Sequence, residues 1–256
     1  MTHTTSLIGK IALVTGAGGG IGRATALELA SRGAEVAVNY RRSKDAAVAV
    51  VRQIEQAGGR AIPIACDVTQ PDTVAAMFEQ VVRDLGGVDI VVNNAGDLIE
   101  RRDLASMTAE VFRQIFDVNV TSAMLCCQAA VEPMTSRGGG VIINVASLAA
   151  HNGGGPGAFG YAAAKAAVIG MSKGLAKELA PKGIRVNCVS PGLIGATEFH
   201  GRFTAPDAFA AMEKTIPAGR AGRPAEVAQV IAFLAGDGAS YLLGETIEIN
   251  GGMFMR

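Results

Sequence analysis

The stretch Ile11-Ala-Leu-Val-Thr15-Gly16-Ala-Gly18-Gly19-Gly20-Ile21-Gly22-Arg-Ala-Thr-Ala-Leu-Glu-Leu-Ala-Ser-Arg32-Gly33 spells a strand, a glycine turn and a helix in succession. Ile11–Thr15 is a short apolar run bounded by glycine, the signature of a buried strand. Ile21–Arg32 carries helical periodicity, and Gly33 supplies a left-handed stop. Between them, Gly16, Gly18, Gly19, Gly20 and Gly22 permit a tight turn whose backbone N–H groups can approach a phosphate. The helix that follows adds the positive potential of its N-terminus. The spacing is T-G-x-x-x-G-x-G, because Ile21 interrupts the commoner G-x-G-x-x-G. A glycine cluster alone would also serve as a plain strand-to-helix connection, so the rest of the chain has to decide.

Working outward, the same unit repeats. Apolar runs at Glu35–Tyr40, Ala61–Asp67, Asp89–Asn93, Val141–Ala146, Arg185–Val189 and Thr246–Asn250 alternate with helical stretches. The helical stretches are Lys44–Ala57, Pro71–Leu85, Ala109–Ser136, Tyr161–Ala180 and Pro224–Ala235. Continuous apolar strands rather than alternating ones belong to parallel sheets buried on both faces. Strand-helix repetition therefore predicts a single α/β domain: a doubly wound, seven-stranded parallel sheet with helices on both faces. Such sheets bind ligands beyond the carboxyl ends of their strands. Leu193–Gly222 breaks the alternation and reads either as a variable substrate-binding segment or as a pair of short surface helices.

Composition narrows the function classes. Among 256 residues, 23 Lys and Arg balance 23 Asp and Glu, which gives no broad basic surface for nucleic acid or anionic membrane. Met1–Gly9 lacks the basic start and apolar core of a signal peptide, and no apolar run reaches membrane-spanning length, so the chain reads as cytoplasmic. Cys66, Cys126, Cys127 and Cys188 form no C-x-x-C pair and read as small core residues. Glu198 and His200 have no third ligand near them in sequence, so no metal site is expected.

Two regions carry chemistry. The second strand ends in Tyr40-Arg41-Arg42, with no Asp or Glu to take a ribose 2′-hydroxyl. Guanidinium groups suit a 2′-phosphate, which points to NADP(H) with NAD(H) as the lesser option. Farther on, Ser147 closes the fifth strand, and Tyr161 and Lys165 lie four apart on one helix face. An ammonium beside a phenol favours the phenolate and is expected to lower its pKa. A serine hydroxyl can steady the developing oxyanion.

With these motifs in order, the chain resembles the short-chain dehydrogenase/reductase family from about Leu7 to Met253. The matching elements are Thr15–Gly22, Cys66-Asp67-Val68, Asn93-Asn94-Ala95-Gly96, Asn119, Ser147, Tyr161 with Lys165, Pro191-Gly192 and Asn250-Gly251-Gly252. The resemblance implies a Rossmann domain and hydride transfer between a nicotinamide and a carbonyl or secondary alcohol. It implies a pyrophosphate turn at Gly16, Gly20 and Gly22, an adenine contact at Asp67 with Val68 beside the ring, and a ribose wall at Asn94, Ala95 and Gly96. It also implies nicotinamide contacts at Pro191, Gly192, Ile194 and Thr197. Tyr161 would be the proton donor, and Lys165 would bind the nicotinamide ribose. Asn119 would kink its helix and hold a relay water. Thr197 comes one residue later than usual, and the family's frequent basic residue in the glycine turn is absent.

The overall pattern is most similar to the branch of 3-oxoacyl-(acyl-carrier-protein) reductases. The alternatives are a sugar or polyol dehydrogenase similar to glucose 1-dehydrogenases and, more distantly, a cofactor-sensing protein without turnover. His151, Phe159 and Phe199 are candidate substrate contacts, with Asn152, His200 and Phe203 nearby. Arg101, Arg102, Arg137 and Arg202 could meet an acidic carrier. The resemblance further implies a homotetramer, or a dimer, built on the two long helices.

Overall fold

The computed structural model describes residues 6–255. Most of the polar stretch Met1–Gly9, on which the absence of a leader was read, lies outside the described residues, as does Arg256.

In chain order the elements are β1 (Ile11–Val14), α1 (Gly20–Ser31), β2 (Glu35–Tyr40), α2 (Lys44–Gln56), β3 (Ala61–Ala65), α3 (Pro71–Leu85) and β4 (Ile90–Asn93). There follow α4 (Ala109–Phe116), α5 (Ser122–Ser136), β5 (Gly140–Val145), α6 (Ala149–Asn152) and α7 (Phe159–Leu179). The chain then forms β6 (Ile184–Pro191), α8 (Glu198–Phe203), α9 (Pro206–Glu213), α10 (Pro224–Ala235) and β7 (Thr246–Ile249). The seven strands pair in the order β3-β2-β1-β4-β5-β6-β7, every pair parallel. The expected doubly wound sheet is therefore present, and its order reverses between β1 and β4.

Period-2 alternation splits the strand side chains between two cores. Ala12, Val14, Val36, Val38, Ile143 and Val145 face one side with Leu29 of α1, Ile54 of α2 and Ile231 of α10. Leu13, Ala37, Val91, Ile142 and Val186 face the other with Phe78 of α3, Met134 of α5 and Leu179 of α7. Each large aliphatic side chain buried this way contributes roughly 1.5–3 kcal/mol. All four cysteines are buried free thiols in this packing. Gly33, Gly58 and Gly183 adopt positive φ after their helices, as the sequence pattern requires.

One departure from the sequence reading matters for the site, and one open alternative is decided. The predicted helix Ala109–Ser136 is interrupted by a π-turn at Asp117–Thr121 between α4 and α5. The Asn119 Nδ2 donates to the Ile115 carbonyl at 2.8 Å, so the polar side chain competes inside the ladder and opens it. The segment Leu193–Gly222 holds two short helices, α8 and α9, neither with a fully buried residue. Among the described residues no helix is long and apolar enough to cross a membrane.

Candidate active site

A cleft of about 470 Å³ opens beyond the carboxyl ends of the strands, at the switch between β1 and β4. Its far end is the glycine turn. Gly16 (φ +61°) and Gly20 (φ +51°) turn the chain left-handed. Gly22 lets the turn fold onto itself, since a Cβ there would sit 2.4 Å from the Gly16 carbonyl oxygen and 2.5 Å from Asn94 Nδ2. Asn94 closes the fold-back by donating to the carbonyls of Thr15 (2.9 Å) and Gly16 (3.2 Å). Gly18, Gly19 and Ile21 line the cleft, and a Cβ at Gly18 or Gly19 would already touch Ser43 or the Glu198 carboxylate at 3.6 Å, so the bare backbone forms a cradle that fits a pyrophosphate.

Tyr40, Arg41 and Arg42 border the same end. Behind them Asp67 accepts from the Thr69 N–H (3.0 Å) and hydroxyl (2.7 Å) and faces Arg41 at 3.8 Å. Burial alone would raise its carboxyl, but the Thr69 hydrogen bonds and the two arginines hold it below the ordinary value. Val68 and the Ala95 backbone pack behind the turn rather than on the cleft surface.

The near end brings four predicted residues together. Tyr161 and Ser147 line the cleft within hydrogen-bonding reach of each other. Lys165 is 3% exposed, lies 5.6 Å from the Tyr161 ring centre and donates to the Val145 carbonyl at 2.8 Å. Asn119 is anchored by its Nδ2, which donates to the Asp97 carbonyl (2.7 Å) as well as to Ile115, while its buried Oδ1 has no protein partner. The gap between Asn119 and Lys165 exists because position 96 is glycine: a Cβ there would sit 2.6 Å from Asn119 Oδ1 and 2.9 Å from Lys165 Nζ. An orphaned acceptor facing an ammonium across that gap fits a bridging water.

The electrostatics correct one expectation. Burial pushes the Tyr161 phenol up to about 12 against the lowering effect of Ser147, and the Asp97 carboxylate pushes the same way. Burial also pulls the Lys165 ammonium down to about 8. Desolvation, rather than the lysine charge, sets the tyrosine in this state of the protein.

Pro191, Gly192, Ile194 and Thr197 line the cleft as expected, and Thr197 also caps α8. Phe199 packs on Tyr161 with ring centres 5.4 Å apart, and it meets Phe203 (5.2 Å) and His200 (5.4 Å). The structure places His151 and Phe159 away from the cleft lining. His151 pairs with Glu248 at 2.9 Å and stacks on Phe254, while Phe159 lies beside Phe112.

The four candidate docking arginines all hold intramolecular partners. Arg101 donates to the carbonyls of Phe203 and Pro156, Arg102 pairs with Glu100, Arg137 with Asp89 and Arg202 with Asp97.

Two residues of the site, Asn39 beneath the glycine turn and Asp97 on the cleft lining, escaped the sequence reading. Asn39 accepts from the Gly16 N–H at 3.1 Å and donates to the Ile64 and Cys66 carbonyls. Its signal was a polar residue in an otherwise apolar strand. Asp97, the acid directly after Asn-Asn-Ala-Gly, lines the cleft, as does Glu198, which the sequence offered only as half of a metal pair lacking a third ligand.

Comparison with known proteins agrees with this geometry. A family model described as enoyl-(acyl carrier protein) reductase matches residues 16–254. The solved structure of a short-chain type dehydrogenase/reductase from Mycobacterium marinum superposes with a TM-score of 0.93 at 44% identity, covering 98% of each chain. The chain belongs to the short-chain dehydrogenase/reductase family. This family member is 42% identical to a 3-oxoacyl-(acyl-carrier-protein) reductase of Staphylococcus epidermidis, over 96% of this chain and 99% of the relative. It is also similar to a 7α-hydroxysteroid dehydrogenase solved with NADH and 7-oxo glycochenodeoxycholic acid (TM-score 0.92, 34% identity, 97% and 96% covered). The protein is an oxidoreductase of the NAD(P)(H)-using type.

Proposed function

We propose that this enzyme reduces a 3-oxoacyl-type ketone with NADPH. The observation that carries the reading is the convergence of Ser147, Tyr161, Lys165 and Asn119 at one end of a cleft whose other end is a glycine cradle bordered by two arginines. A bound nicotinamide supplies the hydride. Ser147 holds the carbonyl oxygen as negative charge grows on it. Tyr161 delivers its proton to that oxygen, and a phenol with a raised pKa retains the proton to give. Lys165 and Asn119 then lead a replacement proton through the gap beside Gly96. Arg41 and Arg42 support the preference for the 2′-phosphate, since β2 ends without an acid.

The name of the staphylococcal relative supports the 3-oxoacyl class. A second reading, a compact cyclic ketone, is favoured by the aromatic wall of Phe199 and Phe203 beside Tyr161. The segment 193–222 is the substrate-binding element in both. The homotetramer implied by the family is supported by exposed Leu104, Tyr241 and Met255, and light scattering tests it.

The deciding experiment follows NADPH consumption over a panel of β-ketoacyl thioesters, cyclic ketones and sugar-derived ketones, with NADH in parallel. Turnover of the thioesters with NADPH favoured is the expected result. Turnover confined to ring ketones moves the assignment to the second reading, and equal kcat/KM with both cofactors removes the arginine argument.

A further inference from the structure

Residues 97–102 form an irregular strap whose first residue, Asp97, lines the cleft and meets Asn119. The Asp97 carbonyl accepts from Asn119 Nδ2 at 2.7 Å. Its carboxylate accepts from its own strap at the Ile99 N–H (3.1 Å) and from Arg202 Nη1 on α8 (2.9 Å). The strap is pinned elsewhere by Arg101, which donates to the Phe203 carbonyl at the end of α8 and to the Pro156 carbonyl, each at 2.8 Å. Among the described residues, positive φ outside glycine occurs at Ile99 (φ +65°) and Ala196 (φ +54°). One lies in the strap and the other where the chain enters α8. Such conformations persist where surrounding contacts over-determine them.

We propose that Asp97 is a positioning residue that holds the lid helix α8 over the cleft and registers it against Asn119, an inference that rests on the assignment of the cleft above. The pair is expected to contribute little to global stability, because its Arg202 partner is 57% exposed and screened by solvent. The same small energy is enough to move a lid equilibrium several-fold. The lid carries Thr197, Glu198, Phe199 and His200 into the cleft, so its position governs how cofactor and substrate are held.

The test uses Asp97→Asn and Arg202→Gln, singly and together, with Asp97→Glu as the conservative variant. Hydrogen–deuterium exchange over residues 196–204 and the NADPH dissociation constant from its fluorescence report on the lid without requiring turnover. Each single variant is expected to speed exchange in that segment and weaken NADPH by about three- to tenfold, with the double variant no worse than either single. Asp97→Glu is expected to recover most of the loss, and melting temperatures should stay close to the parent's. For any ketone turned over, KM rises more than kcat falls. Exchange unchanged from the parent, or effects that add in the double variant, overturns the proposal. A lid response in a protein that turns over no ketone supports the latch while removing the catalytic reading beneath it.

Discussion

The floor of the cleft and its lid are built on opposite principles. The floor is buried and cross-braced: Asn93 Nδ2 donates to Asn144 Oδ1 (2.8 Å), Asn144 Nδ2 to Ser172 Oγ (2.9 Å), and Lys165 to the Val145 carbonyl. Every member sits on a strand or helix of the sheet, where a rotamer change would orphan a buried polar group. The lid, α8 and α9, has no fully buried side chain and is tied down by the Arg202–Asp97 ion pair and the contact of Phe199 with Tyr161. The contrast teaches where chemistry and selectivity live. Proton transfer needs atoms held to fractions of an ångström, while substrate choice needs a surface that can vary without unmaking the fold.

The strongest way to break this division is to remove the proton donor alone. Tyr161→Phe deletes one hydroxyl from the floor and leaves its packing intact. Loss of general acid catalysis predicts a fall in kcat of about 10³-fold, with NADPH affinity changed little. Stopped-flow turnover together with cofactor titration checks it. A variant that keeps more than a tenth of the parent's rate would show that the tyrosine is a wall and not the acid.

The second test asks whether the floor is as desolvated as its geometry says. A lysine whose pKa falls from 10.5 to about 8 on folding costs stability while charged. Between those values the unfolded chain still holds the proton that the folded chain has released, so stability rises with pH across that window. At about 1.36 kcal/mol per pK unit the rise approaches roughly 3 kcal/mol. Tyr161, displaced upward to about 12, works against it above pH 10. Urea midpoints at pH 7.5 and 10 should therefore show the parent gaining on Lys165→Met as pH increases. Parallel curves would mean that the ammonium is hydrated.

A third test targets the gap itself. Gly96→Ala would place a methyl group 2.6 Å from Asn119 Oδ1 and 2.9 Å from Lys165 Nζ, filling the space that a relay water needs. The expected loss in kcat is about tenfold to 10²-fold, with KM less affected, because the ground-state contacts of the substrate lie elsewhere. A solvent isotope effect that grows in the variant would place the defect in proton delivery.

These tests fall on the half of the molecule that the sequence makes legible. The floor announces itself because its residues sit at fixed offsets from strand ends: Ser147 just after β5, Tyr161 and Lys165 one helical turn apart, and Asn119 in a helix that it disrupts. The sheet was equally readable, since buried parallel strands leave continuous apolar runs and glycine marks the helix ends. Boundaries drifted by one or two residues at several ends, as at β3 and β6, and an element was divided where a π-turn split Ala109–Ser136. The lid was legible only as an open choice between a variable binding segment and a pair of short surface helices. α8 and α9 bury no side chain fully, so no periodic apolar face marks them, and both helices and a loop fit the same residues. His151 illustrates the same limit, because Glu248 and Phe254, which hold it, lie far away in sequence. The phenol pKa was misread for a related reason: spacing shows that a lysine is near a tyrosine, but not how much water the fold removes from both.

The smallest expected effect probes the lid, and it is the one that should depend on substrate. Phe199 stacks on Tyr161 and is itself braced by Phe203 and His200, so it shapes the wall beside the reacting carbonyl without touching the floor's hydrogen bonds. Truncation in Phe199→Ala removes ring contact worth about 1 kcal/mol, or roughly five- to tenfold in kcat/KM for a bulky ketone that uses the wall. A small ketone that does not reach the ring should lose little. The ratio of the two losses therefore measures how far selectivity resides in the lid. If both ketones lose equally and the loss is in kcat, Phe199 is supporting the orientation of Tyr161, and the boundary between floor and lid must be drawn to include it.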